Sequence, residues 1–390
     1  RPVIPEALAG RRIAVTGSTG FLGTALIERL LRSAPECDLV LIVRPGRRGA
    51  IRRVERDILR NDAFDGLREH LGADGFAEMA ARRITAVAGD VTIDGLGLDD
   101  HGRNALASCD IVIHSAAAVS FDSPLDQAVE VNLLGPVRIV ETLSELGVAP
   151  HLVAVSTCYV AGSRRGSAPE QPVDDSPFFV DVDWRTEVDA ARRIRRETET
   201  ASRTPSALAD FRSQARAELG AAGIPSLADK TEQLRSRWVD DRMAEAGVAR
   251  ASSLGFPDAY AYTKALGEIA TAEVAGNVPV SVVRPAIIES ALAEPSPGWI
   301  RGFRMAEPVI ISYARGLLKE FPGVPEGTID VIPVDLVVAA ICAIAARGPL
   351  EPDDGPDIVQ VASGAVNPLR YGKLVDLVRE WFTEHPIYDE

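Results

Sequence analysis

Lysine is almost missing from this chain of 390 residues: of 42 basic side chains only Lys230, Lys264, Lys319 and Lys373 are lysines, and the rest are arginines. We read this as the mutational bias of a GC-rich genome, and it makes any motif that needs lysine hard to match by accident. Cysteine is equally sparse. Cys37, Cys109, Cys158 and Cys342 form no CxxC pair, which points to reduced, buried thiols and a cytoplasmic protein. The five histidines are dispersed, with no HExxH, so no metal site is expected. No apolar run reaches the ~18 residues of a membrane span; the longest, 336–346, lies between Asp335 and Arg347 and reads as a buried helix. The start, with Arg1 in place of Met, does not resemble a signal peptide. Positive charge is also in deficit, at a net −14. That argues against a nucleic-acid partner, which would need a basic face.

What is present is a globular composition, 46% hydrophobic and 25% charged, long enough for one large domain or two ordinary ones. Strand-like apolar runs over 13–16, 39–43, 84–88, 111–114, 152–155 and 280–283 alternate with helical stretches. This predicts an α/β fold with a doubly wound parallel sheet. The Pro- and Gly-rich stretch 288–302 reads as a loop over a site. A short strand and a helix are expected over 330–344, and a last helix over 374–382. Between 184 and 250 the sequence becomes densely charged with helical spacing. Leu208, Phe211, Ala215 and Leu219 share one face, and Leu227, Thr231, Leu234 and Trp238 another, with Gly223 and Pro225 between them. The segment reads as inserted helices, giving three parts: 10–183, 184–250 and 251–390.

The first strand runs into Gly17, Ser18, Thr19, Gly20, Phe21, Leu22 and Gly23, a GxxGxxG turn that opens a helix. The first glycine permits the turn, the second lets a pyrophosphate approach the backbone, and the third packs helix on strand. The second strand ends in Arg44, where an NAD enzyme would place Asp or Glu, so a 2′-phosphate and hence NADPH are favoured. Asp90 and Val91 after the third strand are placed against adenine. The small residues Ser115, Ala116 and Ala117 after the fourth let the cofactor lie on the backbone.

Tyr260 and Lys264 stand at i and i+4 on one helix face, with Tyr262 pointing elsewhere. Six tyrosines and four lysines in 390 residues give roughly 0.06 chance matches to YxxxK, so the pair is a specific signal. An adjacent ammonium is expected to lower the phenol's pKa and let it exchange a proton. A third hydroxyl should come from Ser156 or Thr157, which point to opposite sides of an extended strand. Strand geometry does not choose between them.

These motifs resemble the extended short-chain dehydrogenase/reductases, and within them the fatty acyl-CoA reductases and the reductase domains of carboxylic acid reductases. The resemblance rests on Thr16 to Gly23, Leu41-Ile-Val-Arg-Pro45, Gly89-Asp-Val91, Ser156-Thr-Cys-Tyr159, Tyr260 to Glu268, Arg284 to Ser290 and Glu294-Pro-Ser-Pro-Gly-Trp-Ile300. It implies a Rossmann-like core with a smaller C-terminal substrate-binding part and a helical insertion. It also implies Thr157 (Ser156 second), Tyr260 and Lys264 as the catalytic set, Arg44 and Arg53 on the NADPH phosphate, and Pro285 and Ile287 beside the nicotinamide. The implied substrates are fatty acyl-CoA or acyl-carrier-protein thioesters and fatty aldehyde. Peripheral membrane contact is compatible with a greasy product, and full-length relatives often carry a further C-terminal domain. The competing readings are a nucleotide-sugar or sterol epimerase/dehydrogenase and a non-catalytic NADP sensor.

Overall fold

Strands that are apolar on both faces must be covered on both sides. The computed structural model, which describes residues 3–220, 226–302, 307–318, 323–351 and 357–386, does this with a seven-stranded parallel sheet. In chain order the strands are β1 (Arg12–Thr16), β2 (Asp38–Val43), β3 (Ile84–Ala88), β4 (Ile111–His114), β5 (His151–Val155), β6 (Val280–Pro285), β7 (Ile287–Glu289), β8 (Thr328–Ile329), β9 (Val331–Pro333), β10 (Asp357–Val361) and β11 (Leu369–Arg370). The main sheet runs β10-β6-β5-β4-β1-β2-β3, and every neighbouring pair in it is parallel. The strand order reverses between β1 and β4, which opens a crevice at their carboxyl ends. The apolar runs end at 280–283 and do not mark β10, a five-residue edge strand whose run is broken by Gln360. β7 pairs with β9, and β8 with β11, as a small C-terminal layer.

Alternation divides the core. Ile13 and Val15 of β1, with Leu39 and Leu41 of β2, pack under helices Phe21–Ser33 and Val334–Arg347. Ala14, Val40 and Ile42 face the opposite layer, with Leu106, Val140 and Leu143. A third apolar cluster joins the catalytic-motif helix Ala259–Val274 to the inserted helices.

Those inserted helices are Trp184–Ser202, Pro205–Leu219 and Leu227–Ser253. Gly223 and Pro225 lie outside the described residues. Phe211 and Ala215 are buried as expected. On the third helix the buried line is Arg235, Val239, Met243, Gly247 and Ala251, and the expected face of Leu227, Thr231, Leu234 and Trp238 is only half-buried. That face meets a peripheral helix, with Trp238 against Phe211. The inward line carries a glycine and an ion-paired arginine, so hydropathy did not register it. Among the described residues, no helix is long and apolar enough to cross a membrane, and no cluster of ligating side chains could hold a metal.

One arginine closes the first βαβ unit. Arg83 is 3% exposed. Its guanidinium donates to the carbonyls of Leu30 (3.2 Å), Leu31 (2.7 Å), Ala34 (2.6 Å) and Cys37 (2.9 Å) where helix Phe21–Ser33 ends and β2 begins; those of Leu30 and Ala34 also accept the Ala34 and Cys37 amides. Arg83→Ala removes four charged hydrogen bonds from a buried setting, leaving the Leu30 and Ala34 carbonyls only their backbone donors, so it is expected to cost ~3 kcal/mol. Urea unfolding of the two proteins checks this; a loss under about 1 kcal/mol would mean that the carbonyls find other donors.

Candidate functional site

The glycine turn is built by contact. Gly17 has a φ of +74°, and a Cβ there would lie 2.5 Å from the Ala116 nitrogen and 2.7 Å from the Ser115 carbonyl oxygen. A Cβ on Gly23 would meet the Gly17 carbonyl oxygen at 2.2 Å. The turn is therefore wedged between the start of helix Phe21–Ser33 and the segment that leaves β4, and only glycine fits either position. Ser115 donates back to the Thr16 carbonyl at 2.8 Å. The Ser18 hydroxyl is buried without a partner. Close-set backbone, a helix N-terminus and an unsatisfied hydroxyl fit a dinucleotide pyrophosphate. Thr19, Phe21, Leu22 and Ala117 lie along the same half-buried rim.

The other expected cofactor residues gather at the same edge. Asp90 follows β3, and the Gly89 nitrogen bonds to Val43, the last residue of β2. The Asp90 carboxylate is turned onto the Thr92 amide and hydroxyl, at 2.9 and 2.8 Å. Val91 is buried against Gly135. The Arg44 side chain is exposed, while Arg53 donates to the Arg44 carbonyl at 2.6 Å and pairs with Asp57 at 3.3 Å. Arg53 thus braces the turn that carries Arg44.

The stretch 288–302, expected as a loop, starts in β7 and then runs over the opening of helix Phe21–Ser33. Trp299 packs against Phe21 with ring centroids 5.3 Å apart and tilted by 31°, and donates to Asp62 at 2.8 Å. Arg301 reaches the Thr24 hydroxyl at 2.6 Å and the Asp57 carbonyl at 2.9 Å. The Glu294 carboxylate receives Arg32 at 2.8 Å. The partners these residues grip lie 237 or more positions away and leave no mark in the local sequence.

At the carboxyl ends of β5 and β6 the three catalytic-motif residues meet. Asp258 caps helix Ala259–Val274 through the Ala261 amide, at 2.8 Å. Two residues on, Tyr260 lies close enough to the Thr157 side chain for that hydroxyl to pull the phenol's pKa down, so Thr157 is the hydroxyl on its side. Ser156 points the other way, its hydroxyl buried without a partner. It lines a cavity of about 20 Å³ with His114 and Lys264, room for one water molecule. Lys264 is 5% exposed and donates to the Val155 carbonyl at 2.8 Å. Pro285 is buried at the end of β6, two residues past Val283, the partner of Val155. Ile287 follows it in β7 and donates its amide to the Asp330 carbonyl at 3.0 Å.

The electrostatics correct one expectation. Burial pushes the Tyr260 hydroxyl up to about 12, with the Thr157 side chain pulling the other way. The acidity expected from a neighbouring ammonium does not develop: Lys264 is not among the groups acting on this phenol, and loss of solvent penalises the phenolate, with Asp258 adding to it. Burial likewise lowers Lys264 to about 8, against the pull of Glu268. It also lowers His114 to about 3, with Lys264 acting in the same direction, so the imidazole is neutral, its Nδ1 paired with the Thr16 hydroxyl at 2.8 Å.

Sequence reasoning missed three supports. Asn132 bonds to the Ala118 amide and carbonyl, at 2.9 and 3.0 Å, and to the Thr263 hydroxyl at 3.2 Å, tying the segment after β4 to the catalytic-motif helix. Phe121 sits edge-on to both Tyr260 and Tyr159. Arg284 and Glu268 form a buried pair at 2.6 Å. Each partner is distant in sequence, so no local pattern marks them.

An NAD-binding family model described as Male sterility protein matches residues 15–341. The chain is 31% identical to "Fatty acyl-CoA reductase 2, chloroplastic" of Arabidopsis thaliana, over 98% of the chain and 59% of that protein. It is 29% identical to "Fatty acyl-CoA reductase 1" of the same plant, over 98% of the chain and 72% of that protein. It therefore spans somewhat over half to about three quarters of the length of these relatives. Among solved structures, the terminal R domain from the myxalamid PKS-NRPS biosynthetic pathway superposes with a TM-score of 0.59 at 18% identity, over 96% of this chain and 70% of that one. This last likeness concerns the fold. The matched span takes in the glycine turn, Thr157, Tyr260 and Lys264, and the chain belongs to the Male sterility protein family, with the plant fatty acyl-CoA reductases among its relatives.

Proposed function

We propose that the chain catalyses NADPH-dependent reduction of a fatty acyl thioester to the fatty aldehyde, which a second round can take on to the alcohol. The observation that carries this reading is the meeting of Thr157, Tyr260 and Lys264 at one strand end, in a chain whose relatives are named fatty acyl-CoA reductases. Those names favour reduction over the sugar-epimerase reading. CoA and carrier-protein thioesters present the same reacting carbonyl, and both remain within the proposal.

Bound NADPH supplies the hydride. Gly17, Gly20 and Ser18 would hold its pyrophosphate, Asp90 and Val91 its adenine side, and Arg44 its 2′-phosphate. Thr157 and Tyr260 donate hydrogen bonds to the thioester oxygen and become its oxyanion donors as the carbonyl is reduced. A phenol held near 12 stays protonated at neutral pH, as that donor role needs. Tyr260 then yields its proton to the oxyanion, and the hemithioacetal collapses to aldehyde and free thiol. Lys264 would hold the ribose through its ammonium.

Tyr260→Phe is expected to abolish NADPH oxidation with acyl-CoA while leaving NADPH binding, followed by fluorescence titration, largely intact. Unchanged turnover would sink the assignment.

Lys264 carries its charge below about 8 and loses it above. The rate of reduction should therefore fall as pH rises through that value, and a steady-state pH profile checks it. A rate flat from pH 7 to about 9.5 would remove Lys264 from the step.

Arg44→Ala should raise KM for NADPH roughly tenfold, the worth of a charged hydrogen bond, with KM for NADH little changed. Equal shifts for the two cofactors would take Arg44 off the phosphate.

A further inference from the structure

Tyr262 shares a helix with Tyr260 and Lys264, but two residues of α-helix turn it about 200° away from Tyr260. It is 1% exposed, and a buried phenol needs an acceptor. The acceptor is the carboxylate of Glu187, 7% exposed, from the first inserted helix. Arg250, from the third, closes on the same carboxylate with two bonds of 2.9 and 2.5 Å. Burial opposes the charge on Glu187, and the bonds from Arg250 and Tyr262 outweigh it and hold the carboxyl below its usual range.

The inserted helices grip this part of the fold at two more places. Trp184 and Arg185 both donate to Glu273, in the last turn of the catalytic helix, at 2.7 and 2.8 Å. Arg192 reaches Glu130 at 2.7 Å, in the segment that carries Asn132, and Asn132 bonds back to Thr263. An ion pair whose arginine is 41% exposed is a modest source of stability. What it supplies is a fixed distance and direction.

We propose that Glu187 and Arg250 are positioning residues for the reduction, setting the catalytic helix through the Tyr262 hydroxyl so that Tyr260 stays in register with Thr157. This rests on the reductase reading above. The helix is held from its back face, and the inserted segment, one from Trp184 to Ser253 in three helices, is the part that holds it. Slippage of this helix by about 1 Å would be enough to cost up to a hundredfold in rate.

The test compares wild type, Tyr262→Phe, Glu187→Gln, Arg250→Lys and the Tyr262→Phe/Glu187→Gln double variant, with NADPH and an acyl-CoA, below their melting temperatures. Each of Tyr262→Phe and Glu187→Gln should lower kcat roughly tenfold, with KM for both substrates within about twofold. The solvent deuterium isotope effect on kcat should rise, because proton transfer from a misaligned Tyr260 becomes slow. The double variant should be no worse than the poorer single one, and Arg250→Lys should keep part of the rate. Wild-type kcat and isotope effect in Tyr262→Phe overturn the proposal, as does a loss confined to KM. If Glu187→Gln does not fold, Tyr262→Phe decides alone, since it removes one oxygen and no charge; its own failure to fold assigns the network to stability instead. An inactive wild type refutes the reductase reading, and an active wild type with equally active variants refutes only the positioning role.

Discussion

The bond from Lys264 to the Val155 carbonyl, 2.8 Å long in a buried setting, is the constraint on which the site depends. It joins the helix that carries Tyr260 to the strand that carries Thr157. An ammonium in a dry place must spend its hydrogens on acceptors, and a carbonyl at the end of a parallel strand is available because the ladder stops there. The same desolvation that fixes Lys264 lowers its pKa and raises that of Tyr260. Position and proton affinity are thus set by one act of burial.

Around that bond the architecture is a series of close approaches at strand ends. Gly17 touches the backbone leaving β4, and Gly23 touches Gly17. Loop residues Trp299 and Arg301 lie on the helix that follows. Asn132 ties the segment after β4 to the helix of Tyr260. A parallel sheet brings these groups together because its strands all end on one edge, so residues a hundred or more positions apart share a rim.

Much of this was legible in sequence where the signal is local. The six strands from 13 to 283 were found from continuous apolar runs, and the glycine turn and the Tyr260/Lys264 pair from spacing. The edge strand β10 was not, because its five residues begin with Asp357 and are interrupted by Gln360, leaving too short an apolar run to stand out. On the third inserted helix, Leu227, Thr231, Leu234 and Trp238 drew attention by hydropathy, while the buried line runs through Arg235 and Gly247. Burial of a paired arginine or a glycine follows from its neighbours and cannot be seen from its own side chain.

The sequence by itself determined the fold class, the place of the dinucleotide turn and the helix face of Tyr260 and Lys264, since each depends on residues within a turn or two of one another. Tertiary structure decided that Thr157 and not Ser156 faces Tyr260, that burial rather than the ammonium sets the phenol's pKa, and that Tyr262 is held by Glu187, which Arg250 clasps in turn. These outcomes turn on solvent exclusion and on contacts between distant segments. Neither exists until the sheet has brought its strand ends together.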